Sequence, residues 1–253
     1  MAKAESVRYF CSACGASSAS WAGRCPSCGE WGSLEKGTAA SASGVSTPQK
    51  TKSVKATDVL PPERVSSGIE EFDRVIGGGW IPGGVFLLGG QPGIGKSTLL
   101  LQTCGSMAES IGSVLYVSGE ESASQIALRA RRLGVLSDEL HLVCTNDMAA
   151  ALESLPGKKF LVVDSVQAMR ADGEGGWPGS PAQVRAVAQM CISAAKEHSV
   201  PAVLVGHITK EGRIAGPMLL EHMVDGVLTF SGEDYSPYRM LRAGKNRFGS
   251  TEE

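Results

Sequence analysis

The feature that most constrains this chain is a run of eight residues that fills every position of the pattern G-x-x-x-x-G-K-[ST]. The run consists of Gly90, Gln91, Pro92, Gly93, Ile94, Gly95, Lys96 and Ser97. An apolar segment typical of a strand, residues 85–88, precedes it, and a helical pattern over residues 97–109 follows it. This strand–loop–helix order is the context in which such a loop holds phosphate groups.

In that context each fixed position has a physical role. The glycines let the backbone curl so that N–H groups point at phosphate oxygens, and the helix N-terminus adds positive charge. We expect Lys96 to reach the β- and γ-phosphates and the Ser97 hydroxyl to ligate Mg²⁺, with Thr98 included among the nucleotide-binding residues. The alternative is a glycine-rich turn without a ligand, which the complete pattern disfavours. The sequence therefore predicts a site for ATP and Mg²⁺.

Four cysteines near the N-terminus are regularly spaced. Cys11 and Cys14 form one C-x-x-C pair, Cys25 and Cys28 form another, and a glycine follows each pair. Two such pairs supply the four thiolates of a tetrahedral structural Zn²⁺ site, which leaves no position for a catalytic water. A redox dithiol and chance spacing are the alternatives. Because a module of this size cannot build a sufficient core, we expect the metal to supply most of its folding energy.

Composition places limits on class and location. Of the 253 residues, 42% are hydrophobic and 6% aromatic, as in an α/β protein with an aliphatic core. The formal net charge of −2 does not identify a partner, because a basic face can lie within a neutral total. No apolar run approaches the ~20 residues of a membrane span, and the N-terminus lacks the apolar region of a signal peptide. These observations predict a cytoplasmic protein without a membrane partner.

Composition along the chain predicts a zinc-finger module at 1–33, a flexible linker at 34–57 and an α/β ATPase domain at 58–253. In the last of these, short aliphatic runs alternate with helical patterns, which predicts a mostly parallel sheet covered by helices on both faces. We expect the final two runs to form an antiparallel hairpin at the sheet edge. The predicted strands are 85–88, 113–117, 140–144, 160–163, 202–205, 226–230 and 238–241, and the predicted helices are 97–109, 122–133, 148–154 and 182–198.

Carboxylates follow two of the predicted strands, at the edge where ligands bind in parallel α/β sheets. Asp164 ends an apolar run and has the form of a Walker B residue that holds Mg²⁺. Glu120 and Glu121 follow another strand, and either can orient the attacking water; we favour Glu120. The alternative is that both glutamates only stabilise the first turn of the next helix. His207 follows a third strand and is a candidate sensor of the γ-phosphate, although a lone histidine is as often structural.

Two basic residues, Lys245 and Arg247, lie within the segment KNRFG near the end of the chain. In one interpretation they form a solvated basic turn after the hairpin. In the other they reach the nucleotide of a neighbouring subunit, as arginine fingers do. Spacing does not decide between these interpretations.

Taken together, these motifs resemble those of the RadA (Sms) family, bacterial recombination and repair ATPases of the RecA-like superfamily. The resemblance rests on the four cysteines, the phosphate loop, the segments 116–122, 160–164 and 206–212, and KNRFG at residues 245–249. It implies a RecA-like P-loop core preceded by a four-cysteine zinc module. It also implies a homo-hexameric, helicase-like motor that hydrolyses ATP, binds single-stranded DNA and recombination intermediates, and promotes branch migration beside a recombinase partner.

The resemblance further implies roles for particular residues. Lys245 and Arg247 are expected to act on ATP, and the loops after Asp164 and His207 to face DNA. Members of the family usually continue into a carboxy-terminal domain resembling the Lon protease fold, which this sequence lacks, so we expect weaker ring assembly. Two other functions stay open: an ATP-driven protein-assembly switch without DNA coupling, and a small-molecule kinase, which the zinc module disfavours.

Overall fold

A computed structural model describes residues 7–11, 16–38, 55–207, 219–232 and 238–251. The strands are β1 Val7–Cys11, β2 Ser17–Ser18, β3 Leu34–Thr38, β4 Val85–Gly90, β5 Val114–Ser118, β6 Leu140–Cys144, β7 Phe160–Asp164, β8 Ala202–His207, β9 Gly226–Gly232 and β10 Arg239–Asn246. The helices are α1 Glu70–Ile76, α2 Lys96–Ser110, α3 Ala123–Leu133, α4 Met148–Leu152, α5 Pro181–His198 and α6 Leu219–Met223. Among these helices, none combines the length and apolar character needed to cross a bilayer.

The larger sheet has seven strands in the order β10-β9-β4-β8-β7-β5-β6. Its strands pair in parallel except for the antiparallel pair β9–β10 at the edge. Each predicted strand coincides with one of these seven, and each predicted helix with α2, α3, α4 or α5. The predicted parallel sheet with an edge hairpin is therefore confirmed. The short helices α1 and α6 were not predicted.

Helices cover both faces of this sheet, as expected. Successive side chains of a strand point to opposite faces, so Val85 and Leu87 belong to one core cluster while Phe86 and Leu88 belong to the other. The first cluster includes residues of α4, α5 and α6, and the second includes residues of α1, α2 and α3. This double cover explains why the central strands are continuous aliphatic runs: neither face is exposed to water.

The N-terminal residues form a small three-stranded antiparallel sheet in the order β2-β1-β3. Leu34–Thr38 pairs with Val7–Cys11 along its whole length. Residues 34–38 were predicted to begin the flexible linker, but they instead form β3 of this sheet. Their backbone groups pair with those of β1. Residues 39–54 of the predicted linker lie outside the described residues, and the division of the chain into domains stays a prediction.

Candidate nucleotide-binding site

The phosphate loop connects the end of β4 to the start of α2. Gly95 is the N-cap of α2 with φ of 111°, a left-handed conformation that side chains with a Cβ rarely adopt. At Gly90 a Cβ would lie 2.6 Å from the carbonyl oxygen of Phe230, so the close approach of β9 also requires glycine. These constraints aim the N-terminus of a helix of 15 residues at the open side of the loop.

Lys96 folds its side chain back onto the loop. It is 5% exposed, and its Nζ donates hydrogen bonds to the carbonyl oxygens of Gly90 at 2.8 Å and Gln91 at 3.0 Å. Burial lowers the pKa of Lys96, while the charges of Asp164 and Glu120 act in the opposite direction. The ammonium therefore lies within electrostatic reach of both predicted carboxylates, and the loop carbonyls hold it among the residues that would bind phosphate.

Asp164 ends β7 and lies opposite Ser118, the last residue of β5, in the strand register. Its Oδ2 accepts a hydrogen bond of 2.6 Å from the hydroxyl of Tyr116. Burial, the Asp164 charge and this hydrogen bond together raise the pKa of Tyr116, so the hydroxyl keeps its proton and donates. The Asp164 carboxylate and the Ser97 hydroxyl are hard oxygen ligands, the kind that Mg²⁺ prefers.

The neighbouring glutamates that follow β5 have different partners. The backbone N–H groups of both donate to the hydroxyl of Ser118, which tightens the turn. Oε1 of Glu120 accepts a hydrogen bond of 2.7 Å from the buried hydroxyl of Ser165, the residue after Asp164. The carboxylate of Glu121 instead forms an ion pair with Arg129 of α3. Glu120 is thus the member of the pair whose carboxylate lies beside the Asp164 segment.

Local capping explains why the chain turns at this point. Ser122 is the N-cap of α3 and forms a capping box with Gln125: the Ser122 side chain accepts from the Gln125 backbone, and the Gln125 side chain accepts from the Ser122 backbone. The helix therefore begins immediately after Ser122. This confines Glu120 and Glu121 to the short segment between the end of β5 and α3.

Other predicted site residues are only partly described. His207 is the last residue of β8, and its backbone lies opposite Gly90 in the register. Its side chain lies outside the described part of the structure, as does the loop 208–218. Thr98 lies in the first turn of α2.

Lys245 and Arg247 are not brought to the phosphate loop of their own chain. Lys245 lies opposite Val227, which pairs with Leu87 near the middle of β4. Its Nζ donates to the carbonyl oxygens of Glu221 and Val224 at the end of α6, at 2.6 and 2.7 Å. Burial is the main cause that lowers the pKa of Lys245.

Arg247 lies still farther from the loop. Its guanidinium donates to Oδ1 of Asp225 at 3.0 Å, and Oδ2 of the same buried carboxylate accepts from the backbone N–H of Val85 at 3.1 Å. Val85 is the first residue of β4, whereas the phosphate loop begins at its last residue. Arg247 is therefore level with the opposite end of the strand, about 16 Å away at the usual rise of ~3.3 Å per residue.

The cysteine cluster of the small sheet fits a zinc ion. The sulfur atoms of Cys11, Cys25 and Cys28 all lie within 4.8 Å of one another. Cys11 and Cys28 are 3.6 Å apart, close to the ~3.8 Å edge of a tetrahedron built with Zn–S bonds of ~2.3 Å. The backbone N–H of Cys28 is the main cause that lowers the pKa of Cys25, which favours the thiolate that a metal requires. Cys14 lies outside the described residues.

Sequence reasoning missed several residues that shape the site. Tyr116, Ser165, Arg129 and Asp225 each contact a predicted residue, mostly through contacts between distant segments. The one local signal was a tyrosine between aliphatic residues of β5, two residues before the end of the strand.

Two family models match the chain. Residues 49–213 match the model described as "AAA domain", and residues 9–36 match "Rubredoxin metal binding domain". The first match covers more than half of the 253 residues and includes the phosphate loop, Glu120 and Asp164. The second includes all four predicted zinc ligands.

Curated relatives match along the whole chain. It is 44% identical over 265 residues to "DNA repair protein RadA" from Bacillus subtilis (strain 168), in an alignment that covers 100% of this chain and 57% of the relative. The protein of the same name from Brucella abortus (strain 2308) is 45% identical over 269 residues, with the same coverage. The chain thus spans a little over half the length of these relatives.

Solved structures agree on the fold. The "Crystal structure of the RadB recombinase" matches with a TM-score of 0.57 at 23% identity over 74% of this chain and 91% of that chain. "The Structure Of A DnaB-Like Replicative Helicase And Its Interactions With Primase" matches with a TM-score of 0.60 at 17% identity over 75% and 59%. At these identities the likeness shows the fold alone, a RecA-like core. The chain therefore belongs to the AAA-domain family of ATPases and, as its motifs indicated, matches RadA proteins along its whole length.

Proposed function

We propose that this chain is an ATP-dependent DNA motor of repair and recombination, which binds single-stranded DNA and promotes branch migration. The observation that carries the proposal is 44% identity to a DNA repair protein RadA across 100% of the chain. The electrostatic coupling of Lys96 to Asp164 and Glu120 beside one phosphate loop supports the hydrolytic part. The loop after Asp164, residues 169–181, is the described segment that we propose faces DNA.

The chemistry follows from the positions of these side chains. Lys96 exchanges its loop carbonyls for β- and γ-phosphate oxygens and offsets their charge. The Ser97 hydroxyl and Asp164 would hold Mg²⁺, which would supply further neutralisation of the phosphate charge. Glu120 orients a water in line with the γ-phosphate and accepts its proton, since Ser165 holds its carboxylate beside the Asp164 segment.

Assembly completes the proposed site. Lys245 and Arg247 lie level with the first half of β4 in their own chain, so we propose that they act on the ATP of a neighbouring subunit in a homo-hexamer. The fold shared with a DnaB-like replicative helicase is compatible with this assembly. We also propose that a recombinase is a partner and that the cluster of Cys11, Cys25 and Cys28, with Cys14, holds Zn²⁺.

The experiment that tests this function is ATP hydrolysis by the 253-residue chain with and without single-stranded DNA, beside a Lys96→Ala control. We expect turnover that DNA stimulates and that Lys96→Ala abolishes. We also expect DNA binding to weaken as salt rises, because phosphate contacts release counterions. Turnover that is indifferent to DNA, together with no salt-sensitive DNA binding, would contradict the proposal and favour the protein-assembly switch.

A further inference from the structure

One buried side chain contacts the site without having been assigned a role in it. Tyr116 lies in β5, is 1% exposed and packs with residues of α2 and α3 in the second core cluster. It lies opposite Val162 in the register, and Asp164 is two residues beyond Val162 on the same face of β7. This diagonal placement brings the Tyr116 hydroxyl to 2.6 Å from Oδ2 of Asp164.

Within the described part of the chain, the bond from the Tyr116 hydroxyl is the one hydrogen bond that the Asp164 carboxylate makes. Rotation of an aspartate carboxylate about its terminal bond is otherwise broad, so a single short contact decides where its oxygens point. Hydrogen bonds from a hydroxyl to a carboxylate are short and stronger than neutral ones. The contact engages Oδ2 and leaves Oδ1 as the oxygen that can face a cation near Lys96.

We propose that Tyr116 is a positioning residue for the divalent cation: its hydroxyl orients Asp164 so that Oδ1 faces the Mg²⁺ of the bound nucleotide. This inference rests on the proposed ATPase function. Packing alone would be served equally well by phenylalanine, since the ring is surrounded by apolar side chains and only the hydroxyl reaches the site.

The test is Tyr116→Phe, which keeps the ring and removes the hydroxyl. Affinity for a non-hydrolysable ATP analogue is measured in excess EDTA and across a Mg²⁺ titration. In EDTA, we expect the affinity for the analogue to be unchanged. With Mg²⁺, we expect the metal concentration that gives half of the gain in affinity to rise about tenfold, the effect of losing one charge-assisted hydrogen bond.

Tyr238→Phe is the matched control, because it makes the same chemical change at a side chain that is 81% exposed. A Tyr116→Phe protein that keeps the parent Mg²⁺ dependence while its melting temperature falls would show a purely structural hydroxyl and overturn the inference. A parent chain that binds no nucleotide under either condition would overturn the proposed function, and this inference with it.

A measurement on the unsubstituted chain covers the case in which Tyr116→Phe does not fold. The chain has four tyrosines, and 3-fluorotyrosine labelling gives each a ¹⁹F resonance that is assigned by replacing Tyr9, Tyr235 and Tyr238 with phenylalanine. We expect the Tyr116 resonance to shift when Mg²⁺ is added to the nucleotide complex. An unchanged Tyr116 resonance would overturn the inference.

Discussion

At the scale of single residues, the structure separates two adjacent glutamates that the sequence left as alternatives. Glu120 reaches the Ser165 hydroxyl beside Asp164, whereas Glu121 pairs with Arg129 on α3. The ion pair holds the Glu121 carboxylate against α3, which disfavours Glu121 as the residue that orients the attacking water. The position of Glu120 therefore supports its proposed role in orienting water.

The first prediction compares these neighbours directly. We expect Glu120→Gln to lower the rate of ATP hydrolysis by about 10²–10⁴-fold, the usual contribution of a general base, while nucleotide affinity changes little. Glu121→Gln is the matched control and should alter the rate by only a few-fold, because its partner Arg129 lies on α3 and the ion pair is partly exposed to water. A larger loss of turnover in Glu121→Gln than in Glu120→Gln would reverse the assignment.

The same residues show what a sequence can reveal about a site. The phosphate loop and Asp164 were predicted because their signals are contiguous: a glycine pattern, or a carboxylate directly after an apolar run. Tyr116 and Ser165 were missed because each acts on a residue 48 or 45 positions away. Such pairs depend on the order of strands in the sheet, and no local sequence pattern indicates that order.

At the scale of elements, the strands were predictable because burial on both faces makes them continuous aliphatic runs. The short helices α1 and α6 were not predicted, since seven or five residues show little periodicity, although α4, also of five residues, was predicted within the longer run 148–154. Close packing between elements could not be predicted from the sequence either. Gly105 in the middle of α2 looks unfavourable for a helix, yet a Cβ there would lie 2.4 Å from the Cβ of Val135.

That close contact leads to the second prediction. Helix propensity alone would make Gly105→Ala stabilising by about 1 kcal/mol. We expect the opposite, a net loss of up to about 2 kcal/mol, because overpacking costs about 1–3 kcal/mol and part of the contact is with the Val135 backbone. Thermal or denaturant unfolding measures the change.

Two further variants make this prediction specific. Gly175→Ala is the control, since nothing lies within 4 Å of the added Cβ, and it should change stability by less than about 0.5 kcal/mol. In a double-mutant cycle, Gly105→Ala should cost less in a Val135→Gly background than in the parent chain, because glycine removes the Val135 Cβ that the new methyl group would meet. If Gly105→Ala is more stable than the parent chain, propensity rather than packing governs this position.

At the scale of the whole molecule, the strand register places Lys245 and Arg247 away from the phosphate loop of their own chain. Both lie on β10 or just after it, toward the end of β4 that is remote from the phosphate loop, and the buried carboxylate of Asp225 holds Arg247 there. An arginine side chain spans much less than the distance of about 16 Å along the strand. Any action of Arg247 on ATP therefore requires a second copy of the chain.

This requirement leads to the third prediction, which uses two variants that are each expected to be inactive alone. Lys96→Ala removes the ammonium from the phosphate loop, and Arg247→Ala removes the cation supplied to the neighbour. If Arg247 acts between subunits, a mixture of the two should hydrolyse ATP faster than either variant, because the intact loop of the Arg247→Ala chain then meets the intact Arg247 of the Lys96→Ala chain. The rate per chain should also rise with protein concentration, as assembly does.

The control for this mixture replaces Arg185, an exposed arginine of α5, by alanine in place of Arg247→Ala. Arg185→Ala should be active by itself, and mixing it with Lys96→Ala should give no synergy. Light scattering on the same samples shows whether the chains associate. If they associate and the mixture of Lys96→Ala with Arg247→Ala still hydrolyses ATP no faster than its components, Arg247 does not serve a neighbouring site. Its ion pair with Asp225 would then be structural, linking the end of β10 to the start of β4.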